Sequence, residues 1–117
     1  MKQKIKNYLT IIHLELEDLD EDIQFLINEV HKKKEHGGLT NYVFLENQAL
    51  LKNEIRALEC FRKIIKKTSP EDFRSVDELI EYLREEFRIV VDANSYAEAI
   101  LIFTDRKMQK VKNYINS

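Results

Sequence analysis

The sequence predicts an all-α protein, an antiparallel up-down bundle of four main helices with a long N-terminal helical hairpin. Three observations predict this class: apolar residues at helical spacing, very few turn-forming residues and many charges. The 117 residues include two glycines and one proline, whereas β-sandwiches and barrels need many turns. Charged residues make up 34% of the chain, which suits helices with solvated outer faces. We expect one domain over residues 1–117, because a chain of this length builds one core.

The first predicted helix spans residues 2–36 and carries the clearest pattern. Its apolar residues alternate steps of four and three, so they share one face of the helix. They are Ile5, Leu9, Ile12, Leu16, Leu19, Ile23, Leu26 and Val30. Three lysines followed by Gly37 and Gly38 are typical of a helix C-terminus, because positive charge suits the negative end of the helix dipole.

The second predicted helix begins after a cap at Thr40 or Asn41 and ends near Lys67. Its apolar side comprises Phe44, Leu51, Ile55, Leu58 and Ile65, widened by Val43, Leu50, Phe61 and Ile64. The polar residues Gln48 and Arg62 interrupt that side. The connection through two glycines is short, so it favours an antiparallel hairpin.

The remaining half of the chain predicts a short turn and two further helices. Ser69 before Pro70 indicates a capped helical turn, and Ser75 with Glu78 has the spacing of a capping box. The third helix is expected to end near residue 91, with a connection over residues 92–94. A second capping box, Ser95 with Glu98, then predicts a fourth helix that runs nearly to the C-terminus. The apolar residues 87–91 and 99–103 leave one alternative open, a β-hairpin.

The net charge alternates along the four predicted helical segments. Counting Lys and Arg against Asp and Glu gives −2 for residues 1–36, +3 for 37–68, −5 for 69–94 and +2 for 95–117. Consecutive helices are neighbours in an up-down bundle, so each adjacent pair is expected to attract.

Composition also predicts the cellular location of the protein. The lone Cys60 has no cysteine with which to form an internal disulfide, and no apolar stretch is long enough for a signal peptide or a membrane span. We therefore expect a cytoplasmic protein with no membrane association. The net charge of −2 argues against nucleic-acid binding through bulk charge, so nucleic acid is not an expected partner.

The candidate site is a second face of the first helix. Six carboxylates fall within residues 15–22, and several share with apolar residues the face opposite the apolar pattern. The predicted partner-binding residues are Ile11, Leu14, Glu15, Asp18, Glu21, Asp22 and Phe25. In a monomeric bundle, no other helix of the chain is expected to cover this second face. The sequence thus predicts a non-enzymatic interaction module, a small regulator or adaptor that binds a protein partner or a second copy of itself. Small antitoxins and bacteriocin immunity proteins resemble it in general shape only.

Two enzyme classes are the alternatives. Glu78 and Glu81 resemble in spacing the first acidic pair of the Mg²⁺-dependent all-α nucleotide pyrophosphohydrolases, but the second pair, Glu-x-x-Asp, does not follow. His13 on a long helix allows histidine phosphotransfer, although the usual neighbouring residues are absent. None of the three histidines follows a glutamate by three positions, as a di-iron bundle requires. We expect no catalytic residue, no metal and no cofactor.

Overall fold

The computed structural model describes residues 2–117 and has four α-helices. They are α1 (Lys2–Glu35), α2 (Asn41–Lys67), α3 (Val76–Asn94) and α4 (Ala99–Ile115), with a 3₁₀ turn at Pro70–Asp72 between α2 and α3. The helices form an up-down bundle in which α1 packs against α2 and α4, and α3 packs against the same two. The predicted all-α class is confirmed. The β-hairpin alternative is wrong, because residues 87–91 lie within α3 and residues 99–103 within α4.

The predicted hairpin of the first two helices is present, with the expected local chemistry. Gly37 adopts the left-handed conformation at φ 74°, and the Gly38 amide donates to the Lys33 carbonyl at 2.8 Å. This is the usual way in which a glycine ends a helix. The Thr40 hydroxyl then accepts a hydrogen bond from the Val43 amide and caps α2.

The caps predicted before the third helix are also present. The Ser69 hydroxyl accepts from the Glu71 amide at 3.3 Å, which starts the 3₁₀ turn. The Ser75 hydroxyl accepts from the Glu78 amide at 3.1 Å and caps α3. Both serines satisfy amides that would otherwise lack a partner in the first helical turn.

The predicted connection between the third and fourth helices is wrong. Helix α3 continues through residues 92–94, and Ser95 ends it in the left-handed conformation at φ 55° and ψ 37°. The amides of Ser95 and Tyr96 both donate to the Val91 carbonyl, so Ser95 closes α3 and does not cap α4. Glu98 precedes α4 without a side-chain cap, and its carboxylate pairs with Arg88 of α3 at 2.5 Å.

The core lies between the four helices, at the end of the α1–α2 hairpin that is away from its glycine connection, and we call this end the lower bundle. The rings of Phe61 and Phe87 stack there with centroids 4.1 Å apart, which joins α2 to α3. The buried Tyr8 hydroxyl donates to the Met108 carbonyl at 3.1 Å and joins α1 to α4. Tyr8 lies outside the predicted apolar pattern of the first helix.

The hairpin of α1 and α2 is longer than the hairpin of α3 and α4. The connection from α3 to α4 contacts α2 at Asn53, whose side-chain oxygen accepts from the Ala97 amide at 3.2 Å. Beyond this contact, residues 27–52 form a hairpin tip that consists of two helices only. The molecule is accordingly elongated, with extents of 54 × 30 × 18 Å.

Candidate interaction surface on α1

The outward face of α1 is defined by the rotation of 100° per residue in an α-helix. Ile12, Leu16 and Ile23 are buried and mark the side that faces the core. Five of the seven predicted partner-binding residues lie on the outer side and are exposed. We call these five the acidic stripe: Leu14, Asp18, Glu21, Asp22 and Phe25.

All members of the acidic stripe are exposed. Leu14 has 53% and Phe25 has 61% of its surface accessible, although both side chains are large and apolar. Between them stand the three carboxylates, and no Lys, Arg or His within residues 2–117 lies within 4.0 Å of any of these acids. The stripe therefore combines unpaired negative charge with exposed apolar surface.

The other two predicted residues are Glu15 and Ile11. Their side chains contact other parts of the bundle and do not belong to the exposed stripe. The Glu15 carboxylate is largely buried and pairs with Lys110 at 3.0 Å and Lys107 at 3.3 Å, both on α4. The contact with Lys110, followed by that with Lys107, lowers the pKa of the Glu15 carboxyl. Ile11 packs against the core beside Val111. Ile11 and Glu15 thus join α1 to α4.

Ile11 also lines a small pocket at the edge of the acidic stripe. The pocket has a volume of about 230 Å³, and Val111 and Tyr114 of α4 form its other apolar walls. Tyr114 is exposed. The stripe is therefore bordered by a depression that has room for one apolar side chain.

The other side of α1 is joined to α2 by a group of charged residues. Arg62 contacts Glu17 at 3.3 Å and Asp20 at 3.5 Å, and Glu17 also lies 3.3 Å from the Nδ1 atom of His13. Arg62 therefore joins α2 to α1 from the apolar side of its helix. Gln48, the second polar interruption, contacts His31 at 3.0 Å in the same way.

The residues on which the two enzyme alternatives depend lie on different helices, His13 on α1 and Glu78 with Glu81 on α3. The His13 side chain is mostly buried, and its Nε2 atom is enclosed without a hydrogen-bond partner in the described chain. Such a placement does not favour phosphotransfer. Glu78 and Glu81 are exposed on α3, and Glu81 pairs with Arg84. Within residues 2–117 no three His, Cys, Asp or Glu side chains are placed to hold a metal ion.

Sequence reasoning missed the apolar exposure of the hairpin tip. Leu26, Val43 and Leu50 belong to the predicted apolar sides of their helices, yet all three are substantially exposed. The burial of Glu54 likewise has no signal in the sequence pattern. The predicted helix lengths could have indicated the exposure of the tip. The first two helices are longer than the last two, so they must extend beyond them.

Comparison of the chain with protein-family models, curated proteins and solved structures finds no match. In the part of the chain that the structure describes, no helix has both the length and the apolar character needed to cross a bilayer.

Proposed function

We propose that the protein is a non-enzymatic helical interaction module, a small cytoplasmic regulator or adaptor that binds a partner protein through the acidic stripe. One observation carries this proposal: between Leu14 and Phe25 on the outward face of α1 lie three exposed carboxylates that form no ion pair with any of residues 2–117. Apolar surface supplies binding free energy, and unpaired charge selects and steers the partner.

The partner expected at this surface is a protein with a basic, partly apolar face. Lys or Arg side chains of the partner would neutralise Asp18, Glu21 and Asp22. An apolar side chain could enter the pocket beside Ile11, since that pocket is open at the edge of the stripe. Because the acids are solvated, their contribution should weaken as salt is added.

The test is affinity capture with the native chain and with a Leu14→Glu, Phe25→Glu variant. The native chain should retain a basic protein in low salt and release it as ionic strength rises, whereas the variant should retain at least tenfold less. Ile102→Glu is the control, because Ile102 is an exposed apolar residue on α4. Equal capture by all three chains would rule out the stripe as the binding surface.

A further inference from the structure

The side of the bundle formed by α1 and α2 has a pocket at the end where α2 stops. Helix α2 ends at Lys67, and the chain continues into the 3₁₀ turn at Pro70–Asp72, which contacts α1. Between α1, the end of α2 and this turn lies a cavity of about 520 Å³ that is open to solvent. Small-molecule sites in proteins have volumes of about 300–1,000 Å³. We call this cavity the α2-end pocket.

The walls of the α2-end pocket are mainly apolar. The apolar residues that line it are Leu9, Leu14, Ile65 and Pro70. Leu9 and Ile65 belong to the buried core, so they form the floor of the pocket. Thr10 and Thr68 also line it, but each hydroxyl donates to the backbone carbonyl four residues earlier, at 3.0 Å and 2.7 Å respectively. The pocket therefore favours an apolar group inside it.

Positive charge flanks the opening of the α2-end pocket. Lys6 of α1 and Lys66 of α2 both line it and are exposed, and no acid in residues 2–117 lies within 4.0 Å of either ammonium group. Glu71 of the neighbouring 3₁₀ turn pairs with Lys2 instead, at 2.7 Å. Lysine has a flexible four-carbon stem, so both ammonium groups can meet one anion at the opening.

We propose that the α2-end pocket binds a small organic acid with an apolar body, such as a medium-chain fatty acid. The apolar body packs on Leu9 and Ile65, and the carboxylate lies at the opening between Lys6 and Lys66. A neutral ligand would leave the two cations without a partner, and a small anion would leave the apolar floor uncovered. The pocket meets the acidic stripe only at Leu14, so this binding site is additional to the proposed protein interface.

The first test is a titration of the native chain with octanoate, acetate and octan-1-ol, followed by NMR spectroscopy. Octanoate should bind with a Kd on the order of 0.1–1 mM, as expected for a ligand of this size in an open site. Acetate lacks the apolar body and octan-1-ol lacks the charge, so each should bind at least about tenfold more weakly. Equal binding of either, or no binding of octanoate up to about 10 mM, would overturn the proposal.

The histidine signals in the same titration locate the ligand. His13 lines the α2-end pocket, whereas His31 and His36 lie at the other end of the α1–α2 hairpin. Octanoate should shift the imaζole proton signals of His13, which a His13→Gln variant assigns, and should leave the other two histidines unchanged. A shift confined to His31 or His36 would place the ligand elsewhere and reject this pocket.

Charge reversal tests the two lysines. A Lys6→Glu, Lys66→Glu variant should raise the Kd for octanoate at least about tenfold, because the carboxylate then meets two like charges. Lys4→Glu, Lys52→Glu is the matched control, since it changes one exposed lysine on each of the same two helices, away from the pocket. The control should bind within about twofold of the native chain. Equal loss in the two variants would contradict a specific contact.

Filling the pocket tests the apolar half of the site without a change of charge. Thr10→Phe places a ring where the ligand would lie and should weaken octanoate binding at least about tenfold. Gln24→Phe is the control, because Gln24 is exposed fourteen residues further along the same side of α1. Circular dichroism checks that both variants are folded. Binding of octanoate by a folded Thr10→Phe chain with native affinity would reject the pocket.

Two comparisons separate this site from other binding surfaces. Phe25→Glu changes the acidic stripe alone, so it should bind octanoate like the native chain even if the stripe binds no protein. Vesicles that contain phosphatidylglycerol also present apolar chains with anionic groups, but the pocket is too small for a bilayer surface, and the chain should not sediment with them. Sedimentation with vesicles in the absence of octanoate binding would replace the small-molecule site with a membrane-binding surface.

Discussion

Arg62 explains how a charged residue occupies the apolar side of a helix. Its guanidinium lies between α1 and α2, where it contacts the partly buried carboxylates of Glu17 and Asp20. Removing the cation would leave two acids close together with no counter-charge. An ion pair of this kind is costly to break from one side, even where the complete pair adds little stability.

We expect Arg62→Met to lower the free energy of unfolding by about 1–2 kcal/mol, because Asp20 is left partly buried without its partner. Urea denaturation measures the change. Adding Asp20→Asn to that variant should restore part of the loss. Lys32→Met removes an exposed pair with Glu29 and should change stability by less than about 0.5 kcal/mol. Equal effects of the two single changes would contradict this role of Arg62.

Glu54 makes stability depend on pH. Burial raises the pKa of the Glu54 carboxyl in the folded chain above that in the unfolded chain. The folded state therefore binds this proton more tightly, so the contribution is fully present below the unfolded pKa and is lost as pH rises through the folded pKa.

A Glu54→Gln variant, neutral at every pH, should avoid that loss. We expect its Tm to match the native value at about pH 4 and to exceed it by a few degrees at about pH 7. Thermal melts at a series of pH values measure the difference. Glu46→Gln, at an exposed position of the same helix, is the control and should show no such trend. A native chain more stable than Glu54→Gln near pH 7 would contradict the sign.

At the scale of the element, the end of α3 is the clearest departure from expectation. Ser95 holds a left-handed conformation that costs about 1–2 kcal/mol for a residue with a Cβ atom. Glycine adopts this conformation freely, and it occupies the equivalent place at the end of α1 as Gly37.

Ser95→Gly should therefore raise the free energy of unfolding, by about 1 kcal/mol after the greater freedom of glycine in the unfolded chain is included. Ser95→Val should lower it, because a β-branched side chain is strained at positive φ. Chemical denaturation of the two variants beside the native chain gives both values. The opposite order would mean that Ser95 stabilises this turn through its side chain.

The helix caps show which parts of an element can be predicted from sequence. Thr40, Ser69 and Ser75 cap the elements that follow them as predicted, since each acts on amides two or three residues ahead. Ser95 and Glu98 have the same spacing as Ser75 and Glu78. Their outcome differs because Ser95 adopts the left-handed conformation that closes α3, whereas Ser75 adopts the extended conformation of a helix N-cap. The spacing of two residues does not show whether a serine ends one helix or begins the next.

The candidate site was predictable to a similar degree. The exposure of Leu14 and Phe25 follows from the period of one helix, since they lie opposite its apolar pattern. Ile11 and Glu15 are rotated from Leu14 towards α4, by about 60° and 100° respectively. Whether such flanking positions face solvent depends on where the neighbouring helix lies. The helix period therefore predicts the centre of an outward face better than its edges.

At the scale of the whole molecule, alternating net charge predicts only part of the ion pairing between helices. Glu15 with Lys110 and Glu17 with Arg62 follow the predicted signs, because α1 supplies the acids. Between α3 and α4, Arg84 of the acidic helix pairs with Asp105 of the basic one. Which ion pairs form depends on individual positions at the helix interfaces. The net charge of a helical segment therefore describes only the long-range attraction between helices.

The unequal length of the two hairpins has a consequence for how the molecule opens. Amides in the lower bundle are protected by a core shared among four helices, so their hydrogen exchange requires loss of most of that core. Residues 27–52 include two helices supported only by each other, and separating them exposes little additional apolar surface. We therefore expect the tip to open more readily than the rest of the bundle, and hydrogen exchange of its amides would measure the difference. A ligand that orders this unit must offset the entropy lost, which makes binding at the tip weaker and more readily reversed than contact area alone indicates.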